Sequence, residues 1–143
     1  MCIASLGTAQ SRTLGVLAQH KVTRVVHLTD QDWAGISAGF KLASALADSG
    51  VNAQVVVDLD RQATITSRVA GLDASLRTIL LEAGQAPPAQ LAEWRAVHEV
   101  DLVRRLNDMG WVRGVHWKDL AKDAGDLLGF KMRGRQMIEQ ALA

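Results

Sequence analysis

An α/β fold, built as a parallel β-α-β-α-β sheet followed by a C-terminal α-helical extension, is what the sequence predicts, from three observations. Two short runs rich in β-branched residues, "VTRVVHL" at 22–28 and "VNAQVVVDL" at 51–59, have strand character. Between them "AGISAGFKLASALADSG" sets Ile36, Phe40, Ala43 and Ala47 at helical spacing and ends on Gly50, where a C-terminal cap belongs. After about residue 66 the strand signals stop and helical patterning takes over.

The elements follow in order. "CIASL" reads as a short strand and "SRTLGVLAQH", residues 11–20, as a helix. The strand–helix–strand that comes next needs the crossover connection of a parallel pair, and such crossovers are right-handed in nearly every case. Beyond it, helices are expected at about 67–84, 89–109, 117–128 and 132–142. "GQAPPAQ" at 84–90 is the clearest break, because Pro87 and Pro88 cannot carry a helix through their own position. "MGWVRGVHW" at 109–117 fits either a tight β-wing or a turn between helices. The expected division is an α/β unit over 1–66 and a helical extension over 67–143, with a helix-turn-helix layout from about 110.

Length and composition bound the class. A chain of 143 residues with 48% apolar content suffices for one domain with a real core, or for a compact domain plus an appendage. No apolar stretch approaches the roughly 20 residues of a membrane span. The opening "MCIASLGTAQSRTLG" lacks the basic start and long apolar block of a signal peptide. The single cysteine, Cys2, makes no internal disulfide, and a soluble protein of the reducing cytoplasm is expected. The net charge of +1 hides a polarity: acids dominate between Asp73 and Val103, bases between Arg104 and Arg135.

The chemistry-bearing stretch is "VVHLTDQDWAG", residues 25–35, with Asp30 and Asp32 directly after a strand and directly before a helix. Ligands of parallel sheets gather beyond the carboxyl ends of the strands, where this pair falls. Magnesium takes one or two protein carboxylates together with waters and substrate phosphate. Two aspartates at i and i+2 can turn both carboxylates into one crevice while residue i+1 points away. Ala34 and Gly35 would leave room for a phosphate at the helix start, and Arg12 would help neutralise it. The competing reading is that Thr29, Asp30 or Asp32 simply caps the helix. His20, His27, His98 and His116 show no zinc-ligand spacing with Cys2 or one another. His27 reads as a packed or edge residue, and no Walker-type Gly-Lys-Ser/Thr loop is present.

Residues 3–58, with "SLGTA" at Ser5–Ala9, a helix, and a strand ending in Asp30-x-Asp32-x-Ala34-Gly35, resemble the central part of the Toprim domain, a Rossmannoid sheet. The nearest likeness is to DnaG-type bacterial primases. The resemblance implies that Asp30 and Asp32 bind Mg2+ or Mn2+, with Gly7 and Thr8 on a neighbouring phosphate-binding loop and Asp58 (or Asp60) as a third acid. It implies magnesium-dependent phosphoryl transfer by a nucleotidyltransferase acting on DNA or RNA, as in DNA replication. The family also uses a glutamate on an earlier strand, in a Glu-Gly pair; the first glutamate here is Glu82. The resemblance therefore implies that a partner chain or an upstream segment supplies it, or that the fold is kept without full catalysis. The longer Gly-Lys-Asp-Pro-Asp type segment of primases is also missing. The Toprim region of topoisomerase VI A subunits and related nucleases is the second likeness, carried by "GTAQSRTLGVL" and "DQDWAG" with Trp33.

At the other end, "HWKDLAKDAGDLLGFKMRGRQMIEQALA" suggests a helix, a Gly-bearing turn and a second helix with Lys131, Arg133 and Arg135 at its start. In a helix-turn-helix these would contact nucleic-acid phosphates. Trp94, Trp111 and Trp117 fit either base stacking or core filling. A non-catalytic DNA-binding or assembly module on the same fold, or a homo-oligomer of it, is the alternative class.

Overall fold

The structure, a computed structural model, describes residues 10–82 and 88–116 and the single positions 139 and 143, with side chains from Leu14 onward. The order is α1 (Gln10–Gln19), β1 (Arg24–His27), α2 (Trp33–Asp48), β2 (Asn52–Asp58), α3 (Leu59–Ala70), α4 (Ala74–Glu82), a 3-10 turn (Pro88–Gln90), α5 (Leu91–Asp108) and β3 (Val112–Val115). The three strands among the described residues form one parallel sheet in the order β1-β2-β3. Arg24 registers with Asn52, and Val55 with Val112. The α/β class is thus present, with helices packed on a parallel sheet.

Two expectations change. The segment after residue 66 is not purely helical: Val112–Val115 joins β2 as a third parallel strand, so one sheet spans both sides of the expected boundary. The first helix of that segment starts at Leu59, straight off β2, and is broken at Gly71–Asp73. Asp73 causes the restart, its Oδ1 accepting from the backbone N–H groups of Ser75 (2.8 Å) and Leu76 (3.2 Å). With the Ser75 hydroxyl bond, these contacts hold the Asp73 carboxyl below its usual range. The expected strand "CIASL" and, position 139 apart, the helices at 117–128 and 132–142 lie outside the described residues.

All three strands are entered through the same helix ending. At the close of α2 the N–H of Val51 reaches back to the Leu46 carbonyl (2.9 Å), and at the close of α5 Trp111 does so to Leu106 (2.8 Å). Gly50 and Gly110 supply the positive φ, 72° each, that this turn needs. At the close of α1, Val22 bonds the Leu17 carbonyl (3.3 Å), but Lys21 takes the positive φ, 49°. Relief of about 1–2 kcal/mol of left-handed strain exceeds the roughly 0.4–1 kcal/mol by which glycine's freedom favours the unfolded chain. Lys21→Gly is therefore expected to stabilise the protein by about 0.5 kcal/mol, read as a raised urea midpoint at unchanged slope.

Packing explains the layers. Val55, Val56 and Val57 of the central strand are almost wholly buried, as expected where both sheet faces are covered. One core joins Ile36, Leu42, Ala43 and Leu46 of α2 to Val55, Val57, Leu17 and Leu106, with Trp111 packed against it beside Phe40. A second joins Ile65 and Val69 of α3 to Leu80, Ala96 and Val97, with Trp94 at its edge. Helix α5 serves both, its first half in the second core and its last turns in the first. Trp94 and Trp111 thus act as packing residues, and Trp117 lies outside the described residues.

His27 packs against α2 where Gly39 allows close approach; a Cβ there would lie 3.2 Å from the His27 ring. Burial holds its imidazole below the ordinary value of 6.5. As pH falls below about 6.5 the unfolded chain takes up this proton before the folded one, so stability is lost on acidification through that window. Urea midpoints compared at about pH 7.5 and about pH 5.5 should show a drop that His27→Gln reduces.

Candidate functional site

The loop after β1 carries the acidic pair over the carboxyl end of the sheet. Its shape comes from three local devices. Asp32 is the N-cap of α2: Oδ1 accepts the Gly35 N–H at 2.8 Å, and its carbonyl accepts from Ile36 at 2.9 Å. The Asp30 carbonyl accepts the Asp32 N–H at 2.9 Å, folding the loop onto the helix start. Gly35 is buried against that fold, so the room expected for a phosphate is filled by the loop's own backbone, and its N–H is given to Asp32.

Gln31, between the two aspartates, is the third device and was missed by the sequence reading. Its amide donates to the carbonyls of Thr29 (2.9 Å) and Val56 (3.2 Å), and its Oε1 accepts the Asp58 N–H at 2.7 Å. One side chain thus ties the acidic loop to the end of β2. Asp58 sits there as the N-cap of α3, its Oδ1 accepting from Asp60 at 3.1 Å. Across the rim, His116 Nδ1 lies 3.3 Å from Asp60 Oδ1 at the end of β3.

Asp30 and Asp32 are both exposed. Asp32 is committed through one oxygen to the cap, and the Asp30 side chain has no hydrogen bond among the described residues. The capping reading therefore holds for Asp32, which starts the helix, and not for Asp30. Among the described residues no group of three or more His, Cys, Asp or Glu is placed to hold a metal ion. A pair of carboxylates remains a donor set of the kind magnesium takes.

Beside Asp32 opens a cleft of about 700 Å³ between the start of α2, α3 and α5, with Trp33, Arg61, Arg68, Arg95 and Glu99 in its wall. Arg61 holds Glu99 through two bonds, Nε to Oε1 at 3.1 Å and Nη2 to Oε2 at 3.0 Å, and Gln62 adds a third to Oε1 at 2.7 Å. The Glu99 hydrogen bond, with the charges of Glu99, Asp32 and Asp58, raises the Arg61 pKa above its ordinary value, so Arg61 is a permanent cation here.

Of the other expected site residues, Gly7, Thr8, Lys131, Arg133 and Arg135 lie outside the described residues. Arg12 lies in α1, and its side chain is outside them too. The structure brings Asp32 and Asp58 into range of one arginine that the sequence reading did not single out. No protein-family model, curated protein or solved structure matches this chain. Among the described residues no helix is long and apolar enough to cross a membrane.

Proposed function

We propose that the chain is a Toprim-type nucleic-acid-processing protein in which Asp30 and Asp32 hold magnesium or manganese for primase-like phosphoryl transfer. The observation that supports this most is Asp30: an exposed carboxylate on the loop at the carboxyl end of a parallel strand, without the helix-capping duty that explains its neighbour. A bound ion would polarise a phosphoryl oxygen and lower the pKa of an attacking hydroxyl or water. The chain's own residues do the rest. Gln31 holds the loop in register with Asp58, and Arg61 supplies fixed positive charge beside Asp32 and Asp58.

In this reading the general acid/base glutamate comes from an upstream segment or a partner chain. Glu99 does not serve, because both its oxygens are taken by Arg61 and Gln62.

The test is magnesium-dependent primer synthesis, or nicking, on single- and double-stranded DNA by the wild type and by Asp30→Ala. Asp30 is exposed, so the variant should melt like the wild type while turnover falls by at least about 100-fold, more than the loss of an outer-sphere partner usually costs. Asp32→Asn keeps an N-cap acceptor and separates loss of charge from loss of the helix start. Salt-sensitive DNA binding without turnover, unaltered by Asp30→Ala, would instead identify a non-catalytic binding module.

A further inference from the structure

The acidic loop does not explain the cleft beside it. Arg61 and Arg68 stand two turns apart on one face of α3, and Arg95 faces them from α5, so helical periodicity brings three guanidinium groups to one concave wall. Two carboxylates share that wall, Asp32 and Glu99. Glu99, 1% exposed, is fully engaged by Arg61 and Gln62. The other two arginines are not spent in this way. Arg68 gives one bond, Nη2 to the Ala92 carbonyl at 2.9 Å, and Arg95 makes no hydrogen bond or ion pair among the described residues. The Arg95 guanidinium instead lies over the Trp33 ring, 6.0 Å from its centroid.

A carboxylate ligand is satisfied by a single arginine fork. Several forks around a cleft of about 700 Å³ suit an anion with more oxygens and more charge, in a volume typical of small-ligand sites. We infer that the cleft between α2, α3 and α5 is a phosphate-binding subsite, in which Arg68 and Arg95 grip the phosphates of a nucleotide while Arg61, set by Glu99, closes the end next to Asp32. The phosphates belong either to a free nucleotide or to a strand backbone; the chemistry of the grip is the same. The subsite stands on the arginines and requires no metal.

The test is binding in EDTA of a fluorescently labelled oligothymidylate of about ten nucleotides, followed by anisotropy over a range of salt. ATP and unlabelled oligothymidylate serve as competitors. Arg68→Gln and Arg95→Gln should each weaken binding about tenfold, the size of one charge-assisted bond, and each should reduce the salt slope by about one. Arg24→Gln, at the exposed start of β1, is the charge control and should bind like the wild type. Displacement by ATP assigns the subsite to free nucleotides, and displacement by the strand alone assigns it to the backbone. No binding, or equal binding by wild type and Arg95→Gln, overturns the inference, as does an equal loss in Arg24→Gln. Arg95 makes no hydrogen bond or ion pair among the described residues, so its variant carries the test if Arg68→Gln loosens α5. Because EDTA removes any ion from Asp30 and Asp32, this experiment can fail while the metal reading stands, and the reverse.

Discussion

Arg61→Ala should lower the folding free energy by about 3–5 kcal/mol, the cost of breaking a buried ion pair from the side that leaves a charge behind. The pair is lopsided: the Arg61 side chain is 38% exposed and that of Glu99 only 2%. Removing Arg61 strands a carboxylate with Gln62 as its one partner among the described residues, whereas removing Glu99 frees an arginine that can turn to water. Glu99→Leu should therefore cost only about 1–2 kcal/mol, and Arg61→Met with Glu99→Leu should recover most of what Arg61→Ala loses. Urea unfolding of the three variants measures this. A larger loss in Glu99→Leu than in Arg61→Ala would show that the carboxylate is not the desolvated partner.

The second large effect is at Gly35. A Cβ there would overlap the Asp30 carbonyl oxygen and sit 2.6 Å from Thr29 Oγ1. Most of that obstacle is backbone, so Gly35→Ala must push the acidic loop off the helix start, at a cost of about 3 kcal/mol or more. Gly15→Ala is the matched control: nothing among the described residues lies within 4 Å of its Cβ position, and in mid-helix the change should stabilise by about 0.5–1 kcal/mol. The same substitution thus has opposite signs at two glycines. Thermal unfolding reads both, and a tolerated Gly35→Ala would contradict the loop geometry.

The first two described strands and the helix between them were legible because they announce themselves locally. β-branched runs mark β1 and β2, and the spacing of Ile36, Phe40 and Ala43 marks α2. The third strand was not, because "VRGV" is four residues long, carries Arg113 and Gly114, and follows a long helix. Gly114 has a packing reason that only the fold reveals: a Cβ there would come within 2.7 Å of Leu59. The position of Asp30 and Asp32 was readable from the strand-to-helix transition. Gln31 was misjudged as pointing idly away, since its partners Val56 and Asp58 lie some 25 residues on. The arginine cleft was hidden for the same reason, Arg61 and Glu99 being 38 residues apart. Contacts of that range follow from topology, which periodicity alone does not specify.

Asp30 and Asp32 are proposed to hold a divalent cation together. Titration of Mn2+ against the wild type and against Asp30→Asn, followed by the electron paramagnetic resonance signal of the free ion, tests it most directly. The wild type should bind an ion that magnesium displaces, and Asp30→Asn should lose that site with the melting temperature unchanged. Equal Mn2+ uptake by the two proteins, or none by the wild type, would contradict it.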